Sequence, residues 1–264
     1  MRDPRWLRSG VLALGFGALA AILHAILTGA TGLWTALQIW PMQPIFADLR
    51  TVPLPSELSG ADALALVRLE SPADPWGRVF NYPEVWSWLM VPFAACPDRN
   101  LCLGLLLLAL LTAAYVAASL TLRDRVMLGL LPVFFLSPPV FLLIERGNND
   151  SVVFLLLLVA VGIGSAFARG LLTGVAGGLK VFPVAALIAQ PRYFRSLPWL
   201  AGVALSLPLL LWALSDLQAI RSATPVGATR AFGVASLGKL AFLLAERYAL
   251  LIPKALAEPA TIVA

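Results

Sequence analysis

The chain has 264 residues, of which 60% are hydrophobic and only 12% charged, with a mean hydropathy of +0.87. A water-soluble domain of this size carries roughly a quarter of its residues as Asp, Glu, Lys and Arg, so an ordinary soluble globule is excluded. The net charge of +5 and the pI near 9.7 do not signal nucleic acid, because the basic residues gather at the ends of apolar runs, as the positive-inside rule requires. Runs approaching about 20 apolar residues cross a bilayer, and backbone groups in lipid must bond internally. The composition therefore predicts an all-α polytopic membrane bundle, a single transmembrane domain over 1–264.

The first apolar run, about 9–31, follows Arg2, Arg5 and Arg8. A cleaved signal peptide is the competing reading. The run is long for one and no clear small-x-small site follows, so an uncleaved span with a cytoplasmic N-terminus is expected. His24 lies within it and is expected to bond a neighbouring helix. Residues 33–100 form a long connection rich in Pro and in Trp (Trp34, Trp40, Trp76, Trp86 and Trp88), and such rings favour the membrane–water interface. Its acids are Asp48, Glu57, Asp62, Glu70, Asp74, Glu84 and Asp98, and its bases are Arg50, Arg68, Arg78 and Arg99. Residues 59–70 read as an amphipathic helix. Residues 83–95 are apolar but too short to span, which suits an interfacial or re-entrant segment. Two readings stand for Cys96 and Cys102, a small disulfide on an oxidising side or a pair of free thiols.

Residues 101–122 form the next span, ending at Arg123-Asp124-Arg125. Residues 126–144 return, with Pro132, Pro138 and Pro139 expected to break the run into two pieces, as spans that line cavities often are. Then comes Glu145-Arg146-Gly147-Asn148-Asn149-Asp150, three charges and two amides between apolar runs. Such a cluster at the membrane edge is costly and reads as a functional site, or else as a plain hydrophilic turn. Residues 151–168 form the following span. Residues 170–190 carry Gly174, Gly177, Gly178, Lys180 and Pro183, between Arg169 and Arg192. A hairpin of two short helices folding back near 180–183 keeps both arginines on one side; a single crossing separates them. A lysine at mid-run needs an anionic partner, loses its charge, or snorkels. Residues 197–214 are a further span interrupted by Pro208, 216–239 are polar, and 240–252 form an interfacial helix or a poor last span.

Local pieces of this chain resemble the polyprenol-phosphate-sugar-dependent glycosyltransferases of the GT-C superfamily, and most of all its glycosyltransferase family 87, which includes bacterial α-mannosyltransferases. The first is Phe46-Ala47-Asp48-Leu49-Arg50, where the superfamily keeps an acidic residue in its first outer loop. The second is Phe80-Asn81-Tyr82-Pro83, similar to the family's aromatic-Tyr-Pro segment, although Glu84 stands where a second proline is common. The third is the turn 145–150, a span, the glycine-rich run 174–179 and Lys180-Val181-Phe182-Pro183. A weaker fourth is Ser236-Leu237. The likeness covers roughly 10–240, and this chain is shorter than family members usually are.

The resemblance implies a GT-C-like bundle that moves a hexose, mannose favoured, from a polyprenyl-phosphate donor to an acceptor hydroxyl, inverting the donor carbon. The acceptor would be a glycan or lipid-linked, and the site would face outward from the inner membrane. Such transfer needs a base for the hydroxyl proton and a cation for the leaving phosphate. Asp48 is the expected base, with Glu145 and Asp150 as alternatives. Arg146, Lys180, Arg221 and Arg230 are the expected phosphate ligands, and Lys180 is as readily a structural ion-pair partner. Asn81, Tyr82, Glu145, Asn148, Asn149 and Asp150 are the expected sugar or acceptor contacts. No clustered metal-ligand pattern stands out, and no cofactor is expected. A transporter or flippase of a lipid-linked sugar is the alternative, since broken helices and an intramembrane lysine suit it too, and a non-catalytic membrane subunit is a third reading.

Overall fold

The computed structural model describes residues 5–58, 74–76, 78, 80, 82–180 and 196–216. They lie within the first of two compact units, Met1–Ile220. The expected helix at 59–70, the residues Asn81, Arg221 and Arg230, and the run 240–252 fall outside the described residues. In chain order the elements are α1 (Arg5–Thr28), α2 (Gly32–Ala36), a 3-10 turn (Ala47–Thr51), α3 (Pro55–Leu58), α4 (Val85–Met90), a second 3-10 turn (Val91–Phe93), α5 (Arg99–Thr121), α6 (Arg125–Phe135), α7 (Pro138–Arg146), α8 (Asp150–Gly162), α9 (Ala166–Leu179) and α10 (Leu197–Ser215). The bundle is all-α. Helices α1, α5 and α10 are long and apolar enough to cross a membrane, and α6 with α7 make a fourth span if the bent pair is one.

Helices α1 and α5 run antiparallel. The Tyr115 hydroxyl donates to the Val11 carbonyl at 2.6 Å, and Arg8 Nη2 donates to the Leu122 carbonyl at 3.1 Å. Arg8 thereby satisfies a carbonyl at the C-terminal end of α5, where a cation also opposes the helix dipole. Asp124 caps α6 through the amides of Val126 and Met127. Outward-facing Leu14, Phe16, Leu106, Leu110, Leu130, Val133, Leu205 and Leu211 are exposed, as lipid contact requires.

The expected break in 126–144 falls at one place only. Helices α6 and α7 meet at 47° across Leu136–Ser137, before Pro138-Pro139. Proline is well placed in the first helical turn, whose amides have no intrahelical partner. Ser137 Oγ donates to the Phe134 carbonyl at 2.7 Å and so occupies one of the acceptors freed at the break. Pro132 instead lies inside α6, and Pro208 inside an unbroken α10. Both prolines are tolerated because the elements packed around each helix hold its two halves in line.

The expected span at 151–168 is shorter than the apolar run suggests. Helix α8 stops at Gly162, and Ser165 caps a new helix, α9, by accepting from the Ala168 amide at 3.3 Å. Helix α9 returns antiparallel to α8, so Lys180 at its end reaches Asp150 at the start of α8. Helix α10 packs against α9 in parallel register: Gly170 faces Trp199, Gly174 faces Ser206 and Gly178 faces Leu209. Leu197 therefore starts at the Gly170 level, not at the Lys180 level. The turn and second leg of the expected hairpin lie outside the described residues.

Glycines four apart on α9 let the two backbones approach, the small-residue mode of helix packing in membranes. A Cβ at Gly170 would stand 2.3 Å from the Trp199 carbonyl oxygen, which is backbone and cannot rotate away. Gly170→Ala is expected to destabilise the protein by about 1–3 kcal/mol. The reading is a lowered melting temperature in detergent. Gly129→Ala, with nothing within 4 Å, should leave it unchanged or slightly raised.

Candidate active site

The residues singled out from sequence come from three separate stretches, and most of the described ones meet at one end of the bundle. The meeting is built around a turn. Helix α7 ends at Gly147, whose φ of +58° is the left-handed conformation that closes helices. A Cβ there would lie 2.8 Å from the Phe46 Cβ. Phe46 itself adopts φ +61°, uncommon for a bulky side chain, and its amide donates to the Glu145 carbonyl at 3.1 Å. Its ring lies on Gly104 of α5, where any side chain would collide with it. These contacts hold the 3-10 turn that carries Asp48 against the turn 147–149.

Asp48 is held from two sides. Asn148 Nδ2 donates to its Oδ2 at 3.1 Å, and Arg78 Nη1 donates to its Oδ1 at 3.0 Å. Burial pushes the Asp48 carboxyl above the usual aspartate range, opposed by the charges of Arg78 and Arg146 and by the two hydrogen bonds. The side chain keeps 22% of its surface exposed, so it is reachable from one side. Asn148 Oδ1 in turn accepts from the Asp150 amide at 2.8 Å, and Asp150 Oδ1 pairs with Lys180 Nζ. Lys180 also sits 5.8 Å above the Tyr82 ring. One continuous chain thus runs from Arg78 through Asp48, Asn148, Asp150 and Lys180 to Tyr82.

Tyr82 packs beside Phe80 and Trp86. Burial, then the charges of Asp48 and Asp150, push its phenol well above the ordinary tyrosine value, so it stays protonated. Trp86 is buried and donates its indole N–H to the Leu179 carbonyl at 2.9 Å, tying α4 to the end of α9. The Glu84 amide donates to Asp216 at 3.0 Å, which brings the end of α10 to the same level.

Other expected contacts are differently employed. Glu145 has no exposed surface. Its Oε1 accepts from the Met42 amide at 2.7 Å, and its Oε2 lies 3.0 Å from Arg146 Nε. It joins the two stretches and offers nothing to a sugar in this state. Arg146 also donates to the Trp40 carbonyl at 3.0 Å and does not pair with Asp150. Asn149 is fully buried, and neither of its amide atoms has a hydrogen-bond partner among the described residues. Cys96 and Cys102 are both free thiols. Among the described residues, no group of three or more His, Cys, Asp or Glu has metal-binding geometry.

Sequence reasoning did not single out Arg78 and Asp74, which the fold brings to Asp48. The available signal was Asp74 and Arg78 at i, i+4 around Trp76, just before Phe80-Asn81-Tyr82-Pro83. It also missed the loop's fastening to α5. Arg50 pairs with Asp98 at 2.7 Å while Asp98 caps α5, and Arg99 pairs with Glu57 at 2.9 Å. Beside the cluster, an apolar cavity of about 430 Å³ opens at the α6–α7 break, lined by Phe134, Pro139, Val140, Leu143, Phe154 and Leu157, and it reaches Asp150.

The fold and site define a helical membrane-type bundle with a partly buried cluster of carboxylates and cations at one end. The family model of Glycosyltransferase family 87 matches residues 80–246, more than half of the chain. The chain belongs to glycosyltransferase family 87, and its class of activity is sugar transfer. The match includes Tyr82, the turn 145–150 and Lys180, and begins after Asp48. No curated protein and no solved structure matches the chain.

Gly147→Ala combines a positive φ with a short approach to Phe46, so it is expected to cost more than about 1 kcal/mol. A chemical-denaturation midpoint in detergent checks this, and an unchanged midpoint would mean that the turn is not held as described.

Proposed function

We propose that this protein is a GT-C-type inverting glycosyltransferase that takes a hexose, mannose favoured, from a polyprenyl-phosphate donor to an acceptor hydroxyl. The acceptor oxygen attacks the anomeric carbon from the face opposite the phosphate. The bond from that carbon to the phosphate oxygen breaks, and its electron pair stays on the leaving phosphate. The hydroxyl proton passes to Asp48. The observation that carries the reading is the Asp48 carboxylate itself: partly buried, raised in basicity, oriented by two donors, and still open on one side. A base tuned upward toward the working pH transfers protons better than an ordinary solvated aspartate.

Lys180 and Arg146 are the described cations assigned to the phosphate, and Arg221 and Arg230 remain candidates from the residues outside the description. A lysine paired with Asp150 exchanges that partner for a phosphate oxygen when the donor arrives. Tyr82, Asn148 and Asp150 border the same space and suit sugar hydroxyls, with Asn81 adjacent in sequence. The apolar cavity that reaches Asp150 suits part of an isoprenoid chain. Arg5, Arg8, Arg123, Arg125 and Arg169 belong to the opposite end of the bundle, which the positive-inside rule assigns to the cytoplasm. Asp48 and Lys180 then face the outer side of the inner membrane, where the acceptor is a glycan or a lipid-linked sugar. The chemistry drawn here requires no metal or other cofactor.

Asp48→Asn is expected to lower transfer from a polyprenyl-phosphate sugar by roughly 10²- to 10⁴-fold with donor binding kept. Lys180→Gln is expected to weaken donor binding by roughly ten- to a hundredfold. Membranes containing each variant, given radiolabelled donor, separate the two effects. Full turnover by Asp48→Asn would remove it as the base. Donor movement across liposomes without an acceptor would favour a flippase instead.

A further inference from the structure

Asp74 and Arg78 lie outside the family-like motifs, and beyond the bond from Arg78 to Asp48 neither has been given a part in the reaction. Asp74 is buried in the long connection, with no side-chain surface exposed. A buried carboxylate is tolerated only when paired and hydrogen-bonded, and among the described residues Arg78 does both. The Arg78 amide donates to Asp74 Oδ2 at 2.7 Å, Nη2 donates to Oδ1 at 2.8 Å, and Nε lies 3.2 Å from Oδ2. The guanidinium is packed over the Trp76 ring, 4.9 Å from its centroid. Nη1 then remains to donate to Asp48 Oδ1, and Nη2 also reaches the Ala47 carbonyl. Arginine's planar fork is spent on three acceptors at fixed angles, an arrangement that lysine's single ammonium cannot copy.

We propose that Arg78, anchored by Asp74, is a positioning residue for the transfer reaction: it aims the Asp48 carboxylate and keeps it ionised for the incoming hydroxyl. This rests on the reading of Asp48 as the base. The geometry has the form of an acid that orients a second group, which in turn orients the reacting one, with arginine in the middle place. The fixed positive charge sits on one oxygen and Asn148 on the other, so the carboxylate cannot rotate away from the open side. Two carboxylates share one guanidinium, which leaves one negative charge over the three groups. That charge is available at Asp48, because the Asp74 end is sealed.

Among the described residues, the charged and titratable groups facing Asp48 are Arg78 from the connection, Arg146 and Glu145 from α7, and Tyr82 ahead of α4; Asn148 is its neutral neighbour. Burial favours the protonated carboxyl, and the charges of Arg78 and Arg146 oppose it. Removing the Arg78 charge leaves burial less opposed, so Asp48 holds its proton to higher pH. The acid limb of a rate profile governed by Asp48 must then move upward.

The test is the pH profile of kcat/KM for the full chain in membranes, with synthetic polyprenyl-phosphate mannose and an acceptor hydroxyl compound. Arg78→Gln is expected to move the acid limb up by roughly one to three pH units and to regain much of its rate above the limb. Arg78→Lys keeps the charge and loses the fork, so its limb should stay near the parent position while kcat falls. Arg78→Ala is expected to regain activity when guanidinium is added. A loss of the same factor at every pH, without movement of the limb and without rescue, would make Arg78 a structural residue only and overturn the proposal. Full turnover by Asp48→Asn would remove the base, and this proposal with it. If Asp48→Asn is inactive but Arg78→Gln matches the parent at every pH, the base stands and the positioning role falls.

Discussion

Two stretches of chain about a hundred residues apart are made into one surface by the contact between Phe46 and Glu145. The amide of Phe46 meets the carbonyl of Glu145, while the carboxylate of Glu145 meets the amide of Met42. Glu145 and Phe46 are buried, so the groups they pair through this contact have little water to turn to. Losing one side would leave the other with an unpaired buried group, a penalty of about 1–3 kcal/mol and more when charged. The connection therefore cannot drift from the end of α7 without breaking several bonds together. Asp48 rides on that connection two residues after Phe46, so its position depends on a contact in which it takes no part. Gly147 and Gly104 make the contact possible by leaving room for Phe46 on either side.

The electrostatics follow from this placement. Among the described residues of the cluster, the acids are Asp48, Asp74, Glu145 and Asp150, and the bases are Arg78, Arg146 and Lys180. Each base already lies against an acid. Preorganised charges of this kind need no rearrangement of solvent when a reacting group arrives, which is the main way that a site lowers a barrier electrostatically. They also impose a condition on an anionic substrate. A phosphate donor of the proposed kind would compete with carboxylates for cations already engaged, which would couple its binding to the release of Asp150 from Lys180.

Much of the architecture was legible because lipid imposes simple rules. The apolar runs marked α1, α5 and α10 closely, and the polar turn 145–150 stood out against them. Proline was misleading at two of three places. Pro138-Pro139 opens a helix and marks the bend, but Pro132 and Pro208 stay inside helices, since a lost backbone bond weighs less when packing holds both halves. The length of α8 was overestimated because the run 151–168 is apolar throughout, and only Gly162, Gly164 and the Ser165 cap mark the restart. Asp48 was singled out through a family likeness and not from its own surroundings. Arg78 and Asp74 were hidden for a physical reason: a loop ion pair has no periodicity, and its partner 30 residues away is set by tertiary structure alone. The parallel packing of α10 on α9 was equally hidden, because glycine spacing shows that something comes close but not what.

The brevity of α8 has a consequence for where chemistry takes place. Thirteen residues at 1.5 Å each rise about 20 Å, against a hydrocarbon layer of about 30 Å. Helix α9, with fourteen, is scarcely longer. If their shared base lies at one membrane surface, the Asp150–Lys180 pair is recessed on the order of 10 Å beneath the other, or the bilayer thins there to meet it. For a lipid-linked donor such as the one proposed, a sunken seat of that depth would let the headgroup be drawn down to the ions while the tail stays in the oily layer, with no need to lift the molecule out of the membrane.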